Sequence, residues 1–443
     1  MVYKQGREIP TSVKRAYELD DLLEQTLWRD AIEKELATME KNKVFRILTR
    51  GQRAPYNYQF APLHMVFDIK ADGTHKARFV AGGHIVDSSG YAAYASVVKT
   101  SNFRILMTLA EREQLQMITG DIGGAYLNAD AKEYVYSRAG DEFKSDKGKV
   151  VLIEKALYGL KTSAAAWWEH LAKTLRSIGF KGSRFDDNVW YRARHEGENL
   201  VGYDYACIHV DDFALFAKDV QPYISQLSKV YTLRHVTPIG EDSYYLGMDI
   251  VLRPDNLGYG ISARTFLKEA MKEVEKIFGH VPEKDCPLDP NFEYELPTTP
   301  ILNSVQHQHY RKLVGILQWA SELERIDITF AARFLARFTA GPLQQHLDGV
   351  KYIFGYLKKH IDLIIPIHSS PVEDTPVKVG GEEGQKEIFE LMYPDAINEI
   401  DASFPVPCYG ELPLTCYVDL DSAGDNSNRT HNLFGRDSHH MIF

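Results

Sequence analysis

Apolar residues recur every three to four positions over 17–42, where Trp28, Ile32, Leu36 and Met39 share a face and charges fill the rest. That spacing predicts one amphipathic packing helix. The pattern then shifts to short β-prone runs. Runs 65–70 and 75–81 flank Asp72-Gly73, which predicts a hairpin with Lys76, Arg78 and Val80 on one face of its return strand. Helical spacing returns over 101–116, with Phe103, Leu106, Leu109 and Ala110 as its stripe. A strand then ends at Asp121, and Gly123-Gly124 permit a sharp turn. A helix through Trp167, Trp168, Leu171 and Leu175 follows, its tryptophans read as core. Over 205–217 two apolar runs flank Asp211-Asp212, read as the turn of a hairpin.

Beyond it, 219–235 reads as helix, and 244–250 opens a strand pair that runs to Ile261. Four helical stretches (264–279, 308–324, 326–340, 343–360), punctuated by Pro300 and Gly341-Pro342, predict a separate all-helical unit. Residues 368–412 are acidic, rich in Pro and Gly and aperiodic, as in a linker. A last strand leads from Thr415 into an acidic loop at Asp425.

The chain has 443 residues, enough for two or three domains, with the 44% apolar and 25% charged content of a soluble globular protein. No apolar run is long enough to span a bilayer, and the opening residues lack a signal-peptide core. Cys207, Cys286, Cys408 and Cys416 are scattered without CxxC spacing, which supports neither a zinc site nor a disulfide framework and points to a reducing interior. The net charge of −10 is unevenly spread. Residues 361–443 hold 4 Lys/Arg against 15 Asp/Glu, leaving 47 against 46 in the rest. A near-neutral body can still present a basic groove to phosphates.

Adjacent carboxylates about 4 Å apart repel by roughly 4 kcal/mol at an effective dielectric of 20. They call for open solvent, a shared proton or a cation. Asp121, at a strand end upstream, can meet the Asp211-Asp212 pair on one sheet, and three carboxylates supply the hard oxygen ligands of Mg²⁺. Lys76 and Arg78 read either as solvated edge charges or as a grip on a triphosphate.

Together these segments resemble the copia-type retrotransposon reverse transcriptase over about residues 25–365. The carriers are the leading helix at Trp28, Lys76-Ala77-Arg78-Phe79-Val80-Ala81-Gly82-Gly83, the Asp121 to Asn128 stretch, Ala156-Leu157-Tyr158-Gly159-Leu160-Lys161, Val210-Asp211-Asp212, Tyr245-Leu246-Gly247 and Tyr310-Arg311-Lys312-Leu313-Val314-Gly315. The stretch 417–425 is similar to the opening strand of that family's ribonuclease H domain.

The resemblance implies an α+β right-hand polymerase. Residues 1–60 would form a helical lead-in, 61–250 fingers and palm built of antiparallel sheet and helices, and 251–367 a mostly helical thumb. An acidic linker at 368–411 and a truncated ribonuclease H start at 412–443 would follow. It implies that Asp121, Asp211 and Asp212, with the main-chain carbonyl of Ile122, hold two Mg²⁺ ions, Mn²⁺ being an alternative. Lys70, Lys76 and Arg78 would meet the triphosphate. Tyr126 would exclude a ribose 2′-hydroxyl, and Gly159 and Lys161 would lie against the incoming nucleotide. His209 and Gly247 would lie along the primer and template. The implied partners are an RNA template, a DNA primer and product, and dNTPs, with no membrane. Oligomers with itself or with other proteins of the element are also implied, in cytoplasmic virus-like particles or the nucleus.

Two departures stand out. His209 replaces the family's tyrosine before Val-Asp-Asp, and Thr162-Ser163-Ala164-Ala165-Ala166 replaces its Gln-Ala-Pro-Arg segment. Asp419 alone cannot build a second two-metal site, so ribonuclease H activity is not expected. The competing expectation is a retroelement remnant that binds nucleic acid without polymerising. A nucleotide cyclase with a similar palm is disfavoured by the hairpin and the helical C-terminal part.

Overall fold

The computed structural model describes residues 2–4, 6–70, 72–239, 243–253, 258–290 and 298–367. The predicted acidic linker, the ribonuclease H-like start and Asp419 lie outside the described residues. The chain is α+β and divides into two units. The first comprises Met1–Leu106, Leu115–Arg192 and Tyr203–Pro238. The second comprises Met107–Gln114, Ala193–Gly202 and the chain from Ile239 on.

After a short antiparallel pair, Val2–Lys4 with Arg7–Ile9, the first unit has two helices where one was expected, α1 (Val13–Leu22) and α2 (Leu27–Lys41). Hydrophobic spacing runs through the break, but Glu24 takes a φ of 48° there. The buried Asp20 carboxylate accepts the Trp28 and Arg29 amides at 3.2 and 2.8 Å, capping α2 from a distance. Next comes the hairpin β1 (Leu63–Ile69) and β2 (His75–Ala81), paired antiparallel from Leu63↔Ala81 to Ile69↔His75. Phe67, Ala77 and Phe79 bury one face against α2, which leaves Lys76 and Arg78 on the other.

Helix α3 (Thr100–Arg112) leads to β3 (Gln116–Ile122), and α4 (Ser163–Ser177) precedes the long hairpin strands β4 (Val189–Glu196) and β5 (Asn199–His209). Then follow β6 (Asp212–Ala217), helix α5 (Gln221–Ser228) and β7 (Leu233–Pro238). The expected helix over 219–235 thus stops at Ser228, and its second half is an edge strand. The reason is tertiary. Tyr231 is buried, and the residues after it find backbone partners on β3. The resulting sheet runs, from its two-residue edge strand Lys181–Gly182, in the order β4, β5, β6, β3, β7. Its covered face is packed with Ile118, Phe213, Leu215 and Ile208 against Trp167, Leu171 and Leu175 of α4 and Tyr223 and Leu227 of α5.

In the second unit, β8 (Ser243–Tyr245), β9 (Met248–Leu252) and β10 (Tyr259–Ser262) precede α6 (Arg264–Phe278), α7 (Ser304–Leu323), α8 (Thr329–Ala336) and α9 (Gln344–Lys359). Strand β11 (Ile365–Ile367) then pairs with β10. The helices expected over 264–360 are present, and the expected strand pair before them is part of a four-stranded antiparallel sheet that β11 completes. Three-residue β11 is too short to register as a period in sequence. Tyr310, Leu317, Ile353 and Phe354 are fully buried among the helices.

Candidate active site

The centre of the first unit's sheet sets the site. Strand β6 lies antiparallel to β3 with Asp212 opposite Asp121, and the register continues through Phe213↔Gly120. Gly120 is required there, because a Cβ would come within 2.5 Å of the Phe213 ring. On the other side β7 places Arg234 opposite Asp121.

The tight turn is shifted by one residue from the sequence expectation. His209 pairs with Asp212, so the two-residue loop is Val210-Asp211, and Asp212 already belongs to β6. Val210 has a φ of 59°, a left-handed conformation that β-branched residues rarely adopt. Hydrophobic runs mark that a turn exists but do not set its register, which the pairing with β3 decides. Two hydrogen bonds hold the loop: the Ile122 amide donates to the Asp211 carbonyl at 2.7 Å, and the Trp167 indole donates to the Val210 carbonyl at 2.6 Å.

The result is the predicted convergence. Carboxylate oxygens of Asp121, Asp211 and Asp212 all lie within 4.8 Å of one another. Asp121 is raised above the usual carboxylate range by desolvation and by Asp211, against the lowering influence of Arg234, His235 and Lys76. Desolvation first, and the Asp211 and Asp121 charges next, push Asp212 up to about 6. Asp212 keeps solvent-exposed surface, so the repulsion is the part a bound cation would relieve. Three clustered oxygen donors with surplus negative charge fit a hard divalent ion such as Mg²⁺.

Facing this cluster is the hairpin. Burial comes first in depressing the Lys76 ammonium, then Arg78 and Lys70, while Glu35 and Asp211 oppose it. Lys76 therefore sits within electrostatic reach of the triad. The Arg78 guanidinium lies 5.4 Å over the Tyr158 ring, and Tyr158 contacts Tyr126 at a 4.8 Å centroid distance. Tyr126 stands on a 3₁₀ turn, Ala125–Asn128, directly after the two glycines.

Gly159 has a φ of 92°, and a Cβ there would come within 2.0 Å of the Ala81 carbonyl. The Ala81 amide donates to the Tyr158 carbonyl at 2.8 Å. The glycine is thus the joint between the hairpin and the segment leading into α4. The Lys161 ammonium donates to the Val86 carbonyl at 3.0 Å, a structural use beside the predicted nucleotide contact. His209 is half-buried beside the turn. Its Nδ1 has no hydrogen-bond partner among the described residues, and burial pushes its pKa down against the pull of Asp211.

Gly247 belongs to the second unit, where it has a φ of 83° and lies against Leu323 and Trp319. Ile122 is buried, with its amide engaged as described.

Three contributors escaped the sequence reading. Tyr158 lies in the Ala156–Lys161 stretch, where the sequence alone gives its ring no role. Trp167 was assigned to core packing, which is correct but incomplete. Glu35, raised by desolvation, accepts the Phe79 amide at 3.1 Å behind the cationic face. Its position on the apolar stripe with Trp28, Ile32 and Met39 was the signal available.

The family model for reverse transcriptase (RNA-dependent DNA polymerase) matches residues 42–280. A carboxylate triad on an antiparallel sheet with a cationic hairpin beside it defines the class, and the chain belongs to the reverse transcriptase family. Within that family it is of the copia type, as its transposon relatives show. It is 24% identical over 354 residues to the retrovirus-related Pol polyprotein from transposon TNT 1-94 of Nicotiana tabacum, covering 74% of this chain and 25% of that protein. It is 26% identical over 344 residues to the Pol polyprotein from transposon RE1 of Arabidopsis thaliana, covering 76% and 22%. The Ty1-ER2 Gag-Pol polyprotein of Saccharomyces cerevisiae is 26% identical over 330 residues, covering 70% and 18%. The chain thus spans a quarter or less of these relatives. Among solved structures, a foamy viral protease-reverse transcriptase in complex with dsDNA matches 84% of this chain and 61% of that one, at 13% identity and a TM-score of 0.41. No helix among the described residues is long and apolar enough to cross a membrane.

Proposed function

We propose that this chain is an RNA-directed DNA polymerase that transfers a nucleotidyl group from a dNTP to a primer 3′-hydroxyl on an RNA or DNA template. The observation that carries the reading is the meeting of Asp121, Asp211 and Asp212 opposite Lys76. Asp121, Asp211 and Asp212, with the Ile122 carbonyl, would hold two Mg²⁺ ions, which supply charge neutralisation for an in-line phosphoryl displacement. The chain's own groups do the rest. Lys76 and Arg78, with Lys70 from the hairpin loop, neutralise the triphosphate. The Tyr126 ring, backed by Tyr158, fills the space a ribose 2′-hydroxyl would need. Gly159 keeps the Tyr158 segment against the hairpin, so the nucleotide sees one continuous wall. Residues 61–250 would then be fingers and palm, and the helices beyond them a thumb-like part.

A second reading, a remnant that binds nucleic acid without polymerising, is favoured by one observation, the buried nitrogen of His209 beside the triad, which has no hydrogen-bond partner among the described residues. One experiment separates the two: primer extension on an RNA template with dNTPs and Mg²⁺, comparing the parent chain with Asp211→Asn. Extension by the parent alone supports the polymerase. Template binding by both without extension by either overturns it in favour of the remnant.

A further inference from the structure

The Val210-Asp211 turn is held in a conformation its sequence disfavours. A valine at a φ of 59° is strained, and such strain persists only where surrounding groups over-determine it. A cavity of about 40 Å³ lies beside the turn, lined by Ala95, Val97, Tyr126, Trp167, Ile208 and Val210, so packing against the turn is incomplete on that side. Among the described residues, the hydrogen bond that holds the Val210 carbonyl itself comes from the Trp167 indole at 2.6 Å, beside the Ile122–Asp211 bond on the other side of the turn.

The indole is itself fixed. Trp167 is buried at 2% exposure, stacks on His170 at 6.2 Å and 18°, and meets the Tyr231 ring edge-on at 5.5 Å. The Tyr231 hydroxyl bridges His170 Nδ1 at 3.0 Å and Thr174 Oγ1 at 2.7 Å, locking both rings to α4. This arrangement is more than a packed tryptophan requires, because an indole buried for its area alone needs only some acceptor.

We propose that Trp167 is a positioning residue: its N–H pins the Val210 peptide in the left-handed form that brings the Asp211 carboxylate to Asp121 and Asp212. The inference rests on the metal-binding reading of the triad, and its test is built to fail separately from that reading. The full chain is compared with Trp167→Phe, and with a variant carrying β-(3-benzothienyl)alanine at 167, which keeps the ring shape and lacks the N–H. Two readouts are taken: Mn²⁺ affinity by electron paramagnetic resonance without nucleotide, and hydrogen exchange of the Ile122 amide, whose acceptor is the Asp211 carbonyl.

Loss of one well-placed hydrogen bond should weaken Mn²⁺ binding about tenfold and speed Ile122 exchange by a similar factor, with the melting temperature of the benzothienyl variant near the parent's. In a Val210→Gly background the same loss should shrink below about threefold, since glycine takes this φ without strain. A benzothienyl variant within about twofold of the parent in both readouts overturns the proposal. So does a loss that Val210→Gly leaves undiminished. A parent that binds no Mn²⁺ removes the metal reading instead, while Ile122 exchange still decides whether Trp167 holds the turn.

Discussion

Asp212 shows at the scale of one residue what the site costs the fold. Its folded pKa stands at about 6 against an ordinary 3.8. Between those values the folded state binds more protons than the unfolded one, so stability falls as pH rises through that window. Asp212→Asn should therefore stabilise the chain at pH 8 and leave it nearly unchanged at pH 3. Discounted for solvent screening, the gain is about 1 kcal/mol. Urea denaturation at the two pH values measures it, and Mg²⁺ should narrow the gap at pH 8. An equal effect at both would mean that the desolvated, repelled charge of the ionised carboxylate is not its origin. Tyr126→Ala should admit ribonucleotides into extension products by at least about tenfold, the scale of one removed steric contact. Unchanged discrimination would remove the gate role. The three aspartates were legible because Asp121 ends a strand upstream where it can meet the Asp211-Asp212 pair on one sheet. The one-residue shift of the turn was not, since it depends on a partner strand far away in sequence.

Among elements, the junction of the hairpin with the segment before α4 tolerates little change. Gly159→Ala meets both a forbidden φ and a carbonyl 2.0 Å from the new methyl, and should cost about 3 kcal/mol or more. Gly73→Ala is the matched control: a similar φ of 82° with nothing within 4 Å, worth about 1 kcal/mol. Equal losses in the two variants would show that the backbone approach carries no weight. The hairpin itself was readable from Asp-Gly and alternation. Strand β7 was not, because 233–238 has no alternation strong enough to compete with the helical run before it, and only β3 makes it a strand. The α1–α2 break was hidden for a related reason: its cap is Asp20, eight residues from the amide of Trp28 that it serves.

For the whole molecule, charge is the property that the described elements leave aside. Residues 368–443 hold 4 Lys/Arg and 14 Asp/Glu. A polyanion bound to the body should feel them, so ending the chain after Ile367 should tighten binding to an RNA–DNA hybrid severalfold at low salt, with the gain fading near 0.5 M. Binding measured across a salt series checks this, and a gain that ignores salt would point away from charge. Where such a shortened chain begins matters as much. The stretch that matches its family runs from 42 to 280, and a clone drawn to those limits is the obvious economy. It would discard Trp28, buried to 1% against Phe67, and with it the support beneath Lys76 and Arg78. It would also remove Ile365–Ile367, the edge partner of Tyr259–Ser262. Asp20 moves the workable start earlier still, to Ser12, whose side chain caps the first helix. The smallest piece worth expressing is thus set by one remote cap, one local cap and a three-residue strand, and a chain trimmed by similarity should melt well below one that keeps all three.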